Sequence, residues 1–372
     1  MTESSDWYKI KNIDSIDTPV LVIYPQRVEE NIRILKSMIN DISLLRPHVK
    51  THKTREATLL KMAAGINKFK CATIAEAEML GICKAGDVLL AYQPFGPKLQ
   101  RFVLLIKKYP DTIFSCLVDN FNSAQHISEI ALRNNVTIRL YLDLNSGMNR
   151  TGIVPGKKAI KLYEDCSKLI NIRVMGLHVY DGNINDKNIQ KRILACNKAF
   201  EPVTKMKMRL MKLGYEEPKI VAGGSPTFPI HAQRKKVECS PGTFIFWDKG
   251  YQDLLPDQMF LPAALVITKI ISLPDDTKLC LDLGYKSIAS ENDLGRRVHF
   301  LNAPDLKVVS QSEEHLVLEG KKNHSWKIGD IFYGLPIHIC PTCALYDHAS
   351  VVENGIIAGS WEIIARKRKI LI

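Results

Sequence analysis

Arg46, His48, Lys50, His52 and Lys53 fall within one short stretch, directly after the apolar residues Leu44 and Leu45. On a surface such a patch is ordinary. At the end of a buried strand it gathers ionisable groups where a core belongs, which folded chains tolerate mainly at functional sites. Lys50 is therefore the expected holder of a cofactor, with Lys53 as its competitor. Other reactive residues also stand where apolar runs end. Asp143, Asn145 and Arg150 follow one run, His178, Tyr180 and Asp181 end another, and Gly223, Gly224 and Ser225 follow a third. Glycines beside a hydroxyl let backbone N–H groups approach phosphate oxygens, although a plain turn accounts for Gly-Gly-Ser taken alone.

Near the C-terminus His338 and Cys340 stand two residues apart. On a strand, alternate residues project to one side, so an imidazole and a thiolate there would share a single divalent ion. That donor pair favours zinc over manganese or magnesium. A bare His and Cys at this spacing also serve as core residues. Cys340 and Cys343 form a C-x-x-C, which admits a redox pair or a third ligand. A reactive pair of that kind opens a helix after a strand, whereas Cys343 is expected in a turn.

The elements that must position these groups alternate regularly. Residues 18–24, 43–50, 69–74, 87–92, 113–118, 137–144, 172–180 and 219–222 read as strands, several of them apolar on both faces, with helical periodicity between them. Strands buried on both faces and separated by helices indicate a parallel sheet, and eight of them predict a (β/α)8 barrel of the TIM type. A doubly wound sheet is the alternative. It is weakened by the absence of Gly-x-Gly-x-x-Gly after the first strand. From about residue 258 the texture changes to short β-rich segments, which predicts a C-terminal all-β domain. The expected division is an N-terminal arm over residues 1–17 packed with the β domain, a barrel over 18–255 and a β domain over 256–372 carrying His338 and Cys340.

A chain of 372 residues, 46% hydrophobic and 24% charged, has the composition of a globular protein of more than one domain. It holds no long uncharged apolar run and begins with no signal-type core, so the expectation is a cytoplasmic protein without a membrane span. Its nine cysteines are irregularly spaced and do not form a disulfide framework. The net charge of +12 comes from lysines scattered along helices, with no aromatic-interleaved basic patch. Nucleic acid is therefore not the expected partner, and attraction for small anions is.

The stretch Arg46-Pro47-His48-Val49-Lys50-Thr51-His52-Lys53 resembles the pyridoxal-phosphate lysine motif of the D-threonine aldolase and D-serine dehydratase family, relatives of alanine racemase. Four further segments resemble that family in the same order. They are the turn from Asp143 to Gly152, the strand end Gly176-Leu177-His178-Val179-Tyr180-Asp181-Gly182, the Ser240-Pro241-Gly242-Thr243-Phe244 segment, and Gly334 to Thr342. The resemblance implies that Lys50 carries pyridoxal 5'-phosphate as an imine and that Arg150 bonds its phenolic oxygen. Gly223, Gly224, Ser225, Thr227 and Thr243 would hold the phosphate, and Tyr180 would line the cofactor. His178 and Tyr180 are the candidate acid–base groups. His338 and Cys340 are the implied metal ligands, and the implied assembly is a homodimer.

The implied activity is metal-assisted lysis of β-hydroxy D-amino acids. It is either retro-aldol cleavage to glycine and an aldehyde or dehydration of D-serine to pyruvate and ammonia. A metal-independent amino-acid racemase is a further alternative. The His-x-Cys pair leans toward the dehydratase, since aldolase relatives use His-x-Asp. Asn183 stands where aldolase relatives carry a His, and Phe244 replaces the family's usual Tyr. The whole arrangement most resembles sequences grouped with D-threonine aldolase, which is the expectation placed first.

Overall fold

The computed structural model describes residues 6–372, which form two compact units. One contains residues 35–50, 58–242 and 365–372. The other contains the described residues up to Ile34, together with 51–57 and 243–364. Among the described residues no helix is long and apolar enough to cross a membrane.

The strands run β1 (Val20–Ile23), β2 (Lys68–Cys71), β3 (Asp87–Leu90), β4 (Ile113–Val118), β5 (Ile138–Leu144), β6 (Ile172–Val179), β7 (Lys219–Ala222) and β8 (Val237–Cys239). Strands β2 to β8 pair in sequence order as one parallel sheet. Residues 45–49 link its two edges. Leu45 bridges Cys239 of β8 and His48 bridges Lys70 of β2, both in parallel. Arg46 N–H donates to Cys239, and Val49 N–H donates to Lys70. The sheet is thus closed into a barrel whose eighth stave is a short irregular segment. Leu89, Leu117, Tyr141 and Val221 form part of its apolar filling.

One expectation is corrected here, and one strand enters that the sequence pattern did not indicate. Residues 18–24 do not supply a barrel strand. Val20–Ile23 runs antiparallel to residues 264–267 and parallel to Ser350 and Val351. A run apolar on both faces fits a central antiparallel strand as well as a barrel strand, so its pattern could not separate the two. The stave missed in its place is β8, three residues long with the charged Glu238 at its centre.

The second unit is built on β1 and on β9 (Ala264–Ser272), β10 (Lys278–Leu281), β11 (Val298–Phe300), β12 (Lys307–Gln311), β13 (Leu316–Glu319), β14 (Ile331–Pro336), β15 (His348–Glu353) and β16 (Ile356–Glu362). Its main order is β12-β13-β10-β9-β1-β15-β16, with β14 pairing both β9 and β11. Tyr8 and Ile10 pack with Val22, Leu265, Tyr333 and Val352. Residues 243–255 also group with this unit, whereas residues 365–372 group with the barrel. The barrel holds that tail through Glu78, which accepts from the N–H groups of Leu371 and Ile372, and through Arg101, which donates to the Ile372 carbonyl.

Arg46 carries the closure of the barrel. Its side chain is fully buried, with Nε donating to Glu238 of β8 at 2.6 Å and Nη1 to Asp87 of β3 at 2.8 Å. Truncating it would leave Asp87 without this partner and Glu238 with Lys68 alone. Arg46→Met is expected to lower the unfolding free energy by about 3–5 kcal/mol, read by urea denaturation. A loss below about 1 kcal/mol would show that the ion pairs do not hold the barrel shut.

Candidate functional site

Lys50 directly follows the closing segment, and the chain passes to the other unit between Lys50 and Thr51. Its side chain is exposed, and its N–H donates to His48 Nδ1 at 3.1 Å. Lys53 sits one turn on with φ +55°, in the left-handed region, beyond the barrel segment. Lys50 is thus the lysine that the barrel itself presents. Around the ends of β3, β4 and β5 lies a cavity of about 520 Å³, lined by Tyr92, Gln93, Asp119, Asp143, Arg150 and Thr151.

Asp143 and His178 end neighbouring strands in register, and their side chains meet at 2.8 Å between Oδ1 and Nδ1. Asp143 therefore serves His178 rather than Arg150, the partner a strand-end arginine would ordinarily seek. Burial pushes the Asp143 carboxyl up, but the bond and charge of His178, with Thr151 and Lys70, together outweigh it and hold it below its usual range. Burial pulls the His178 imidazole down, more than Asp143 restores. A neutral imidazole donating Nδ1–H to a carboxylate presents Nε2 as an acceptor. That Nε2 is buried and has no hydrogen-bond partner. The Arg150 guanidinium lies 4.8 Å from the centre of the Tyr180 ring.

Gly223 and Gly224 form a cradle that a side chain would fill. Gly223 has φ +77°, and a Cβ there would stand 2.8 Å from His231 and 2.9 Å from Thr227. A Cβ on Gly224 would stand 3.2 Å from Tyr180. Thr227 faces inward to the loop: its hydroxyl donates to Asp181 Oδ1 at 2.7 Å and accepts from Gly224 N–H at 3.3 Å. Ser225 Oγ accepts from Gly242 N–H at 3.4 Å. A barrel-end lysine, an orphaned ring nitrogen and a glycine cradle together fit a phosphorylated carbonyl cofactor.

Sequence reasoning did not assign the residues behind that loop. Asp181 Oδ2 lies 2.8 Å from His231 Nε2, and Cys196 Sγ lies 3.4 Å from the same nitrogen. These three donors are buried and close enough to share an ion. Arg234 Nε donates to His231 Nδ1 at 3.3 Å, however, which leaves the ring hydrogen on Nε2 pointing at Asp181. The cluster acts as a hydrogen-bonded brace under Thr227. Lys70 was also missed. Lone residues far apart in sequence carry no spacing signal.

In the other unit, His338 and Cys340 are not on a strand. β14 ends at Pro336, His338 caps the helix Ile339–Cys343, and Cys340 lies in that helix's first turn. Pro341 is accommodated there because the first turn needs no N–H from it. The two side chains still meet. Burial pulls the His338 imidazole down, but its bonds to Cys340 and Glu291 outweigh this and hold it at about 9. Glu291 Oε1 takes Nδ1 at 2.5 Å. Thr51 Oγ1 lies 3.0 Å from Cys340 Sγ and Thr243 Oγ1 lies 3.7 Å from it. Thr243, expected on the phosphate, also stands near this thiol. A carboxylate on one ring nitrogen is what orients a metal-binding histidine, and imidazole plus thiolate suits zinc, so the donor set fits a divalent ion.

The family model described as the alanine racemase N-terminal domain matches residues 23–249. The chain belongs to that family. A putative serine dehydratase domain matches residues 263–352. A D-threonine aldolase from Arthrobacter sp. is 25% identical over 358 residues, covering 94% of this chain and 93% of that protein. A D-serine dehydratase from Dictyostelium discoideum is 21% identical, covering 95% of this chain and 96% of that one. The crystal structure of D-threonine aldolase from Filomicrobium marinum matches with a TM-score of 0.87 at 23% identity, over 95% of this chain and 97% of that one. The alanine racemase-like fold is therefore shared. These aldolase and dehydratase relatives are lyases.

The brace can be tested directly. Asp181→Ala removes the acceptor of both Thr227 and His231. It is expected to cost about 2–4 kcal/mol in urea unfolding, since bonds to a charged acceptor are worth about 1.5–3 kcal/mol each. A neutral result would make the cluster incidental.

Proposed function

We propose that this protein is a divalent-metal-assisted, pyridoxal phosphate-dependent lyase of β-hydroxy D-amino acids, cleaving a D-threonine-type substrate to glycine and an aldehyde. The observation that carries the reading is the His338–Cys340–Glu291 group. Its thiol touches Thr51, the residue covalently next to Lys50. In this reading Lys50 binds the cofactor's carbonyl carbon, and Gly223, Gly224 and Ser225 receive its phosphate. When bound, the cofactor supplies a sink for the electron pair released at the substrate's α-carbon.

The chain's own residues set the outcome. Arg150 and Tyr180 fix the plane of the bound ring, and with it the bond that stands perpendicular. His178, neutral and held by Asp143, presents Nε2 as a proton acceptor. His338 and Cys340 would hold a metal that lowers the pKa of the β-hydroxyl. Loss of the hydroxyl proton breaks Cα–Cβ and gives the aldolase. Loss of the α-proton followed by departure of the hydroxyl gives a D-serine dehydratase. The second reading is favoured by the thiolate ligand Cys340 and by Asn183, which stands where aldolase relatives carry a His. A racemase would require neither ligand.

The protein is expected to be yellow. Lys50→Ala should abolish the absorbance of the lysine-bound cofactor and Lys53→Ala should preserve it; the reverse result would move the anchor. A panel of D-threonine, D-allo-threonine, D-serine and 3-hydroxy-D-aspartate, read for aldehyde plus glycine against keto acid plus ammonia, names the reaction. Turnover that survives complete chelation would sink the metal assignment. Glu291→Gln is expected to weaken the activating metal about 10–100-fold in a metal titration of activity, because it releases Nδ1 of His338.

A further inference from the structure

Lys70 of β2 is 2% exposed, and its side chain lies inside the barrel. Its ammonium is 5.6 Å from the centre of the Tyr180 ring. No carboxylate lies within ion-pairing distance of it among the described residues. The charged groups that face it are Lys50 and Arg46 from the closing stave, Asp143 from β5 and Asp181 from the end of β6, with His178 beyond Asp143. Each of the two carboxylates is already engaged. Asp143 receives His178, and Asp181 receives His231 and Thr227. Arg46, another buried cation, is paired with Glu238 and Asp87, and Lys68 shares Glu238.

A buried ammonium without a counter-ion is unfavourable, and two outcomes relieve it. The group gives up its proton, or an anion enters. The barrel's own groups favour the first outcome. Burial, and then the charge of Lys50, pull Lys70 down to about 7. The aromatic face of Tyr180 offers a cation only weak compensation.

We propose that Lys70 is an anion-receiving residue of the cofactor pocket, whose missing counter-ion is an anionic oxygen of the bound pyridoxal phosphate. This rests on the cofactor reading given above and adds a residue to it. The bound anion restores the proton that burial removed, so binding draws one proton from solution. The sign follows from the two midpoints. At pH 8 the free Lys70 lies above its midpoint and is mostly uncharged. The anion raises that midpoint, so uptake is expected near pH 8 and vanishes below about pH 6, where Lys70 is already charged.

The test uses the full chain freed of cofactor and pyridoxine 5'-phosphate as probe, which keeps the phosphate and phenol but cannot condense with a lysine. Binding is followed by calorimetry in buffers of different ionisation enthalpy. The wild-type protein is expected to bind with uptake of close to one proton at pH 8. Lys70→Met should bind about 10-fold or more weakly with no uptake. Lys70→Arg should bind tightly, also without uptake, because its guanidinium is already charged. If Lys70→Met does not fold, the comparison of wild type with Lys70→Arg carries the test. Uptake that persists in both variants overturns the assignment of Lys70 and leaves the cofactor reading standing. Uptake that appears only on adding D-threonine assigns Lys70 to the substrate carboxylate and overturns the cofactor assignment. No binding of the probe to wild type defeats the cofactor reading and this proposal together.

Discussion

The barrel is closed by residues 45–49 and not by a full strand, and the placement of Lys50 depends on that closure. Two isolated bridges and four flanking hydrogen bonds are little backbone pairing with which to join β8 to β2. Arg46 supplies the rest by reaching Glu238 on one side and Asp87 on the other. The arrangement has a cost, since charges leave water, and it is favourable only while the buried ion pairs stay intact. In return the stave ends irregularly, and Lys50 leaves it as an exposed side chain at the barrel rim. A regular strand at this position would alternate inward and outward and fix the lysine by its pleat.

The same reasoning about charge runs through the barrel interior. Asp143 neutralises the demand of His178, and Asp181 that of His231 and Thr227, so each buried carboxylate has an identified donor. Lys70, Nε2 of His178 and the exposed Arg150 guanidinium have no carboxylate partner among the described residues, and all three are suited to a polyanionic ring with a phenol and a phosphate. The interior is thus complementary to a ligand of negative charge. The overall charge of +12 adds a long-range attraction of the same sign.

Much of this was legible in the sequence, for reasons that can be named. Both-face apolar runs alternating with helical periods indicate a covered parallel sheet, and β3 to β7 lie where those runs are. Lys50, Gly223 and the pair His338 and Cys340 stand out because each sits in a compact local pattern. Val20–Ile23 was assigned to the wrong sheet because burial on both faces does not reveal the partner strand. β8 escaped because three residues around a charged centre have no hydrophobic signature, and Glu238 is charged there because Arg46 needs it. Lys70 and His231 were invisible for a different reason. Their meaning lies in which groups surround them in space, and a lone residue carries no trace of that.

The C-x-x-C shows how context decides chemistry. The structure does place Cys340 and Cys343 at a helix start after a strand, the setting that favours a reactive dithiol, and the expected turn at Cys343 is a helical residue. Yet the two thiols are unequal. Cys343 is fully buried, and burial pushes its thiol well above the usual range, which disfavours the thiolate that exchange requires. Cys340 is half-buried and faces His338, Thr51 and Thr243. A dithiol switch needs two sulfurs that reach the thiolate state together. A metal ligand needs one sulfur with a basic nitrogen beside it and a carboxylate behind that nitrogen. Glu291 supplies the carboxylate, so the short helix fits the proposed ligand pair better than a dithiol switch, and the second cysteine serves as packing.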